Sequence, residues 1–368
     1  MEREYQICSR CVMDTSDPDI VFDERGLCNH CRGYFAAVKR HVPNGEAKKE
    51  KLGQIVDRIK RDGRGKEYDC LVGVSGGVDS SYAAYMSKEL GLRPLAFHLD
   101  NGWDSELAVH NIEKILRKLD IDLYTYVLDW EEFKNLQLAY FRASVVDIEV
   151  VSDHAITAAA HKIADERDIK YILTGANVTT EWIMPKSWAY RKNDLWNFKA
   201  ICGKYSTVKL RTYPTLGLFK LIYYRYIKGI KSITLLHYLN YNKIEAKKLL
   251  ISELGWEDYG GKHYESLFTK FYQAYILPRK FNVDKRRAHL SNLICAGQIT
   301  QEEALEELKK PLYDKTELEE DKKYVMKKLG VTEEEFEELM NLPIKKHEEH
   351  ATDEPFYSLF LWLKNIHN

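Results

Sequence analysis

The sequence predicts an α/β protein built on a parallel sheet, with a small metal-holding ribbon in front and a helical region behind. Three observations carry this. Apolar runs of strand length alternate with helical patterns between Tyr68 and Thr174, as in a parallel sheet covered on both faces. The first of those strands passes through Ser75-Gly76-Gly77 into a helix, a turn suited to binding an anion. Two Cys-x-x-Cys pairs, Cys8/Cys11 and Cys28/Cys31, stand ahead of the sheet, at a spacing that suits four thiolates around one ion.

Bulk properties narrow the function classes. Of 368 residues, 45% are hydrophobic and 30% charged, and 55 basic residues face 56 acidic ones. That balance gives no overall attraction to nucleic acid, so none is expected as a partner. No apolar run reaches transmembrane length and Met1-Glu2-Arg3-Glu4 does not open a signal peptide, so the expected location is cytoplasmic with no membrane partner. The length predicts two or three units, and the sequence is divided into a zinc-ribbon-like segment at 1–45, a main domain at 46–215 and a helical region at 216–368.

In the ribbon, sixteen residues separate the cysteine pairs, and 17–26 reads as turn, short strand, turn. So small a unit has too little core to fold without its metal. Four protein ligands leave no open position, which makes a structural Zn²⁺ the expected occupant. A redox dithiol pair and an iron–sulfur cluster are the competing readings, and His30 is a substitute ligand or a bystander. A charged segment at 45–64 follows, with Leu52, Ile55, Val56 and Ile59 on one helical face.

Strands are expected at 68–74, 93–99, 123–128 and 170–174, with a fifth at 207–213. Helices are expected at 80–90, 105–119 and 153–168. Ligands bind such sheets at the carboxyl ends of the strands. That collects three loops into one site: Ser75 to Ser81, His98 to Gly102, and Thr174 to Asn177. In the first, glycines admit a close backbone approach, and a helix N-terminus and serine hydroxyls supply donors. It is not a Walker A loop, which needs a different spacing and a Gly-Lys-Ser/Thr ending.

At Ser75-Gly76-Gly77-Val78-Asp79-Ser80 the chain resembles the pyrophosphate loop of the PP-loop ATP pyrophosphatases. The resemblance implies a sheet of the adenine-nucleotide alpha-hydrolase type, cleavage of ATP between its α- and β-phosphates, and a transient adenylated substrate. It gives Ser75, Gly76, Gly77, Asp79, Ser80 and Ser81 to the pyrophosphate, and the region of His98 and Asp100 to the adenosine. The run from Gly175 through Asn177 to Glu181 is similar to a Gly-rich loop of NAD synthetases that ends in a metal-binding glutamate. Asp79 and Glu181 would then share a Mg²⁺ on the phosphates.

A wider resemblance is to the N-acetyl sugar amidotransferases of surface-polysaccharide synthesis, the WbpG/PseA type. It rests on the cysteine pairs ahead of the loop, on the run from Thr174 to Met184-Pro185-Lys186-Ser187-Trp188, and on a block from Lys280 to Leu305. It implies conversion of an acetamido group on a nucleotide-linked sugar into an acetamidino group. It also implies ammonia from a separate glutaminase with a cyclase-like companion, since no glutaminase constellation is evident in the chain. Two alternatives stand beside it. A tRNA-thiolating enzyme predicts a basic surface and a catalytic cysteine pair, whereas Cys70, Cys202 and Cys295 are isolated in sequence. A regulatory protein would bind nucleotide without releasing pyrophosphate.

The aromatic and basic stretch Trp182 to Arg191 reads as lining for the acceptor, with Lys186 the expected catalytic cation beside Asp79 and Glu181. Arg191, Lys199 and Lys204 are further candidates to meet a phosphate. The last third is helical, over 242–254 and 265–277 and after capping boxes at Thr300 and Thr332. Lys285-Arg286-Arg287 reads equally as a phosphate clamp or a solvated basic face. His347 and His350, set among Lys and Glu, read as surface residues. From about Ser232 onward the helical region is the expected docking surface for a partner.

Overall fold

The computed structural model describes residues 4–260 and 264–366. Five parallel strands, β1 (Cys70–Gly73), β2 (Pro94–Asp100), β3 (Leu123–Val127), β4 (Tyr171–Thr174) and β5 (Lys231–Thr234), form one sheet in the order β3-β2-β1-β4-β5. Strand alternation sends side chains to two separate cores. Leu71, Phe97 and Ile172 enter one, while Cys70, Val72, Ala96, Tyr171 and Leu173 enter the other. Both faces are therefore buried, which is why the strands read as unbroken apolar runs.

Helices α1 (Asn29–His41), α2 (Gly45–Asp62), α3 (Val78–Glu89), α4 (Glu106–Leu119), α5 (Trp130–Ala143) and α6 (Val150–Glu166) cover that sheet and lead to it. Val56 and Ile59 of α2, Ala83 and Ala84 of α3, and Ile112 and Leu116 of α4 close one face. Phe133 and Leu136 of α5, with Ala155, Ala159 and Ile163 of α6, close the other. The strand order reverses beside β1, with β2 on one side and β4 on the other. The loops after β1 and β4 thus share the crevice where such sheets bind ligands.

The expected fifth strand at 207–213 is not one. The backbone N–H groups of Arg211, Thr212 and Tyr213 donate instead to the buried Glu132 carboxylate, at 2.7, 3.1 and 2.8 Å. These three amides are committed to the carboxylate and cannot join a ladder, and those of Thr207 and Val208 go to Asn135 Oδ1 and Ser206 Oγ. The fifth strand is Lys231–Thr234 at the sheet edge, so the sheet runs past residue 215 into the stretch read as purely helical.

Between them lie α7 (Val178–Glu181), α8 (Leu195–Tyr205) and α9 (Leu218–Tyr226); beyond β5 come α10 (Lys243–Leu249), α11 (Leu267–Phe271) and α12 (Leu277–Phe281), the last two joined by a π turn at Tyr272–Ile276. The chain then forms α13 (Lys285–Cys295), α14 (Gln301–Lys309), α15 (Lys315–Leu329), α16 (Glu333–Asn341) and α17 (Glu354–Ile366). Among the described residues, no helix is long and apolar enough to cross a membrane.

The ribbon docks on this C-terminal region. Val12 N donates to Ser291 Oγ at 3.2 Å and Arg287 pairs with Asp14 at 2.9 Å. Gln301 Nε2 donates to the carbonyls of both Cys8 and Cys11, at 2.9 and 2.8 Å. The first knuckle is thus held from nearly three hundred residues away in sequence.

His347 is buried, not on the surface. Its ring stacks on Tyr190 at 4.1 Å, and Nδ1 lies 3.0 Å from Asn197 Oδ1. Burial lowers its pKa to about 4.

Candidate functional site

The loop after β1 is held open by its neighbours. Gly76 takes φ +83°, a left-handed conformation that glycine adopts without strain. Its carbonyl accepts from Trp256 Nε1 at 2.7 Å and from Tyr259 Oη at 3.0 Å. Ser75 N and Ser75 Oγ both lie 3.1 Å from Ser80 Oγ, which itself donates to Gly77 O. Gly77 is the N-cap of α3 and contributes no side-chain cap. The first-turn amides of α3 are left facing a cavity, with the positive end of the helix dipole behind them.

That cavity, about 410 Å³, is lined by Ser75, Gly77, Asp79 and Ser80 from the first loop, and by Gly175 and Glu181 from the loop after β4. The two loops touch. A Cβ on Gly175 would stand 2.7 Å from both Asp79 C and Ser80 N, so only glycine fits. Asn177 is committed locally: its Oδ1 caps α7 by accepting from Thr180 N at 2.7 Å. Ser81 is buried under α3.

Several residues of the cavity were not read from the sequence. Lys243 pairs with Asp79 at 2.9 Å, and Tyr241 donates to the same carboxylate. Burial pushes the Lys243 pKa down, but Asp79, Glu181 and Glu265 more than offset it, so it is raised and the ammonium is held charged. Glu265, Trp256 and Tyr259 also line it, as do Lys247 and Asp258, which pair with each other. One signal did exist for Lys243. It is the first residue of α10, capped by Asn242, and a cation there opposes the helix dipole unless a carboxylate faces it.

Asp79, Glu181 and Glu265 are carboxylates around one cavity; both oxygens of Asp79 accept within the chain, from Tyr241 and Lys243, and Glu181 accepts from Asn177 N at 3.3 Å. Lys243 is the cation nearest that set. Lys186 is exposed and does not line the cavity. The stretch Trp182 to Arg191 is packed rather than open: Trp188 is buried, Asn292 holds both N and O of Ile183, and Ser187 bonds Asp17 at 2.8 Å. Arg191 pairs with Asp194 and Asp353. Lys199 and Lys204 are exposed.

His98 lies 3.0 Å from Val74 O through Nδ1 and 3.0 Å from Asp104 through Nε2. Burial opposes its charge and Asp104 restores it, so its pKa is raised; a charged ring donates to both partners. His98 and Asp100 line a second cavity of about 570 Å³ between β2, β3 and α4 rather than the cavity at the head of α3. The candidate clamp is already paired, Lys285 with Glu149, Arg286 with Asp284 and Arg287 with Asp14.

The four ribbon cysteines are buried, with all Sγ atoms within 4.8 Å of one another. Cys8–Cys31 and Cys11–Cys28 stand at 3.9 and 3.7 Å. Ligands about 2.3 Å from one tetrahedral ion stand about 3.8 Å apart, so the set fits a single metal ion. A cluster of several irons would have to sit between the thiolates and spread them wider. His30 is not among the ligands, since it bonds Asp17 at 2.6 Å. Cys295, isolated in sequence, places its Sγ 3.7 Å from that of Cys31. Cys70 and Cys202 are buried elsewhere in the core.

Residues 265–364 match the family model described as LPS biosynthesis protein WbpG-like, C-terminal domain. No curated protein matches the chain. Among solved structures, the chain is similar to NMN synthetase from Francisella tularensis at 19% identity and TM-score 0.29, over 37% of this chain and 57% of that one. It is also similar to the U34-tRNA thiolase NcsA from Methanococcus maripaludis, with its 4Fe–4S cluster, at 16% identity and TM-score 0.37, over 83% and 89% of the two chains. At these scores neither likeness adds to the fold argument, which rests on the strand order and the loop. The parallel sheet carries its Ser-Gly-Gly-Val-Asp-Ser loop at the point where the strand order reverses, and residues 265–364, beyond that sheet, match the WbpG-like C-terminal model.

Proposed function

We propose that this chain is an ATP-dependent amidotransferase that converts the acetamido group of a nucleotide-linked sugar into an acetamidino group, in the synthesis of a surface polysaccharide such as LPS. The observation that carries it is the junction of the two parts. Glu265, the first residue of the WbpG-like match, lines the phosphate cavity opposite Gly77.

An amide oxygen is a poor leaving group, and adenylation makes it a good one. The acetamido oxygen attacks the α-phosphorus of ATP, the bond to the bridging oxygen breaks, and pyrophosphate leaves. The amides of α3, with Ser75 and Ser80, are placed to hold the departing anion. Lys243 offsets charge that grows on the phosphates. Mg²⁺, when bound by Asp79 and Glu181, would neutralise the β- and γ-oxygens. Ammonia then adds to the imidate carbon, the carbon–oxygen bond breaks, and AMP leaves carrying the amide oxygen. The amidinium product keeps two of ammonia's three protons, and the third is released to pyrophosphate or to solvent. No covalent nucleophile on the chain is needed, and positioning with charge stabilisation carries the rate.

Zn²⁺ is the proposed ion of the ribbon, with a structural role, because four thiolates close its coordination. Ammonia is proposed to come from a separate glutaminase with a cyclase-like companion. α17, which leaves Phe356, Leu359 and Trp362 exposed, offers a surface for it. The proposed location is the cytoplasm, where ATP and nucleotide sugars are found together.

The test is incubation of the chain with ATP, Mg²⁺, ammonium at alkaline pH and UDP- or CDP-linked N-acetyl sugars. The expected products are AMP, pyrophosphate and a sugar one mass unit lighter, with glutamine alone giving none. ADP with phosphate, or no sugar-dependent AMP, would overturn the reading.

A further inference from the structure

A third cavity, of about 640 Å³, opens beside the phosphate cavity, and Lys243 and Gly260 line both. Its remaining walls come almost wholly from the WbpG-like domain: the π turn between α11 and α12, the first turn of α13, α14 and the residues after it. Its volume lies within the range of about 300–1,000 Å³ usual for small-molecule sites. We infer that this cavity is the acceptor site and that it takes the N-acylated sugar ring rather than the diphosphate of the donor nucleotide. The inference rests on the adenylation chemistry proposed above.

The charges of the lining decide between ring and diphosphate. Arg286 is paired with Asp284 at 2.8 Å, Lys310 with Glu307 at 2.6 Å, and Lys285 with Glu149 at 3.1 Å. A diphosphate needs cations that are free to meet it, and here each cation already faces a carboxylate. A sugar hydroxyl both donates and accepts. It can give its proton to Glu307 or Asp284 and accept from the adjoining Lys310 or Arg286, without separating the pair. Leu290, Leu293 and Leu312 supply an apolar wall, suited to ring C–H groups and to an acetyl methyl.

Continuity with the phosphate cavity supplies the chemistry. The reacting amide oxygen must come within about 3–3.5 Å of the α-phosphorus. The cation common to both cavities is Lys243, held against Asp79. A ring seated among the π turn, α13 and α14 reaches the nucleotide past that side chain. The stretch Trp182 to Arg191, the acceptor lining expected from sequence, is packed against the ribbon and α13.

The experiment fills the cavity from two separate elements. Ala274→Trp and Leu312→Trp are each made in the full chain. UDP-N-acetylglucosamine, UDP-N-acetylgalactosamine and their CDP-linked counterparts are titrated by calorimetry, with ATP titrated separately as the check that the fold persists. The expected result is at least one nucleotide sugar binding the native chain and a loss of tenfold or more in its affinity in both variants, with ATP affinity unchanged within twofold. Free N-acetylglucosamine should compete for the site and UDP alone should not. Unchanged sugar affinity in two variants that bind ATP, competition by UDP alone, or no binding by any probe overturns the assignment. Sugar binding that the variants abolish, without AMP formation in the native chain, keeps the cavity and overturns the adenylation chemistry. AMP formation that survives both variants does the reverse.

Discussion

Replacing Gly175 with alanine tests the contact between the two loops of the site. A Cβ there would stand 2.7 Å from Asp79 C and Ser80 N and 2.8 Å from Asp79 O, at least 0.6 Å short of the 3.4 Å at which ordinary contact begins. All three atoms are backbone, in the first turn of α3, and Gly175 follows directly on β4. Neither side can swing away as a flexible side chain would. The loops must part, carrying Asp79 and Ser80 with them. Overpacking of this kind costs about 1–3 kcal/mol of stability, which lowers the melting temperature by a few degrees. Because a misplacement of about 1 Å can cost about 100-fold in rate, AMP formation should fall by roughly 10- to 100-fold, with weaker ATP binding. Gly203→Ala in α8 is the control, because its Cβ meets nothing within 4 Å; it should leave both measurements unchanged. The assay is calorimetric ATP binding with AMP formation, on protein whose melting is followed by circular dichroism. A folded Gly175→Ala chain with native ATP affinity and native AMP formation would refute the packing argument.

Lys243→Met should lower AMP formation by roughly 10²- to 10³-fold, the scale seen when one charge-stabilising donor is removed, while Lys186→Ala should change it by less than about threefold; the reverse ranking would restore Lys186. Metal analysis should find one Zn²⁺ per chain. Cys295→Ser should retain it and Cys31→Ser should lose it, whereas equal loss in both would make Cys295 a ligand. The folded pKa of His347 is about 4, below the ordinary value of 6.5, so between those values the unfolded chain binds more protons. Stability should therefore be complete above pH 6.5 and fall as pH drops toward 4, by up to about 3 kcal/mol. His347→Phe should flatten that slope in denaturant titrations, and an unaltered slope would show that other groups set it.

What was legible in the sequence was what is local. Strands buried on both faces read as apolar runs, and Ser75-Gly76-Gly77 before a helix marks its own turn. The cysteine pairs likewise carry their spacing with them. The residues that complete the cavity at the head of α3 are not local. Lys243, Trp256, Tyr259 and Glu265 lie more than 160 residues beyond the loop, and only the packing of α10 and the segment before α11 brings them there. Glu132 removed the expected strand at 207–213 by taking its amides, a tertiary effect that local propensity cannot register. The fifth strand, Lys-Ser-Ile-Thr, is a half-exposed edge and shows almost no apolar pattern. His347 sits in a charged run that reads as surface, yet Tyr190 and Asn197 enclose it. Cys295 joined the ribbon cysteines because α13 docks on the knuckles.

The central claim is that the amide oxygen is adenylated, and it is read most directly from where that oxygen goes. A nucleotide-linked N-acetyl sugar labelled with ¹⁸O in its acetamido carbonyl is incubated with the chain, ATP, Mg²⁺ and ammonium, and the AMP is weighed by mass spectrometry. The account predicts AMP two mass units heavier, one label for each amidine formed, with unlabelled pyrophosphate. Unlabelled AMP, or label retained in the sugar product, would contradict it.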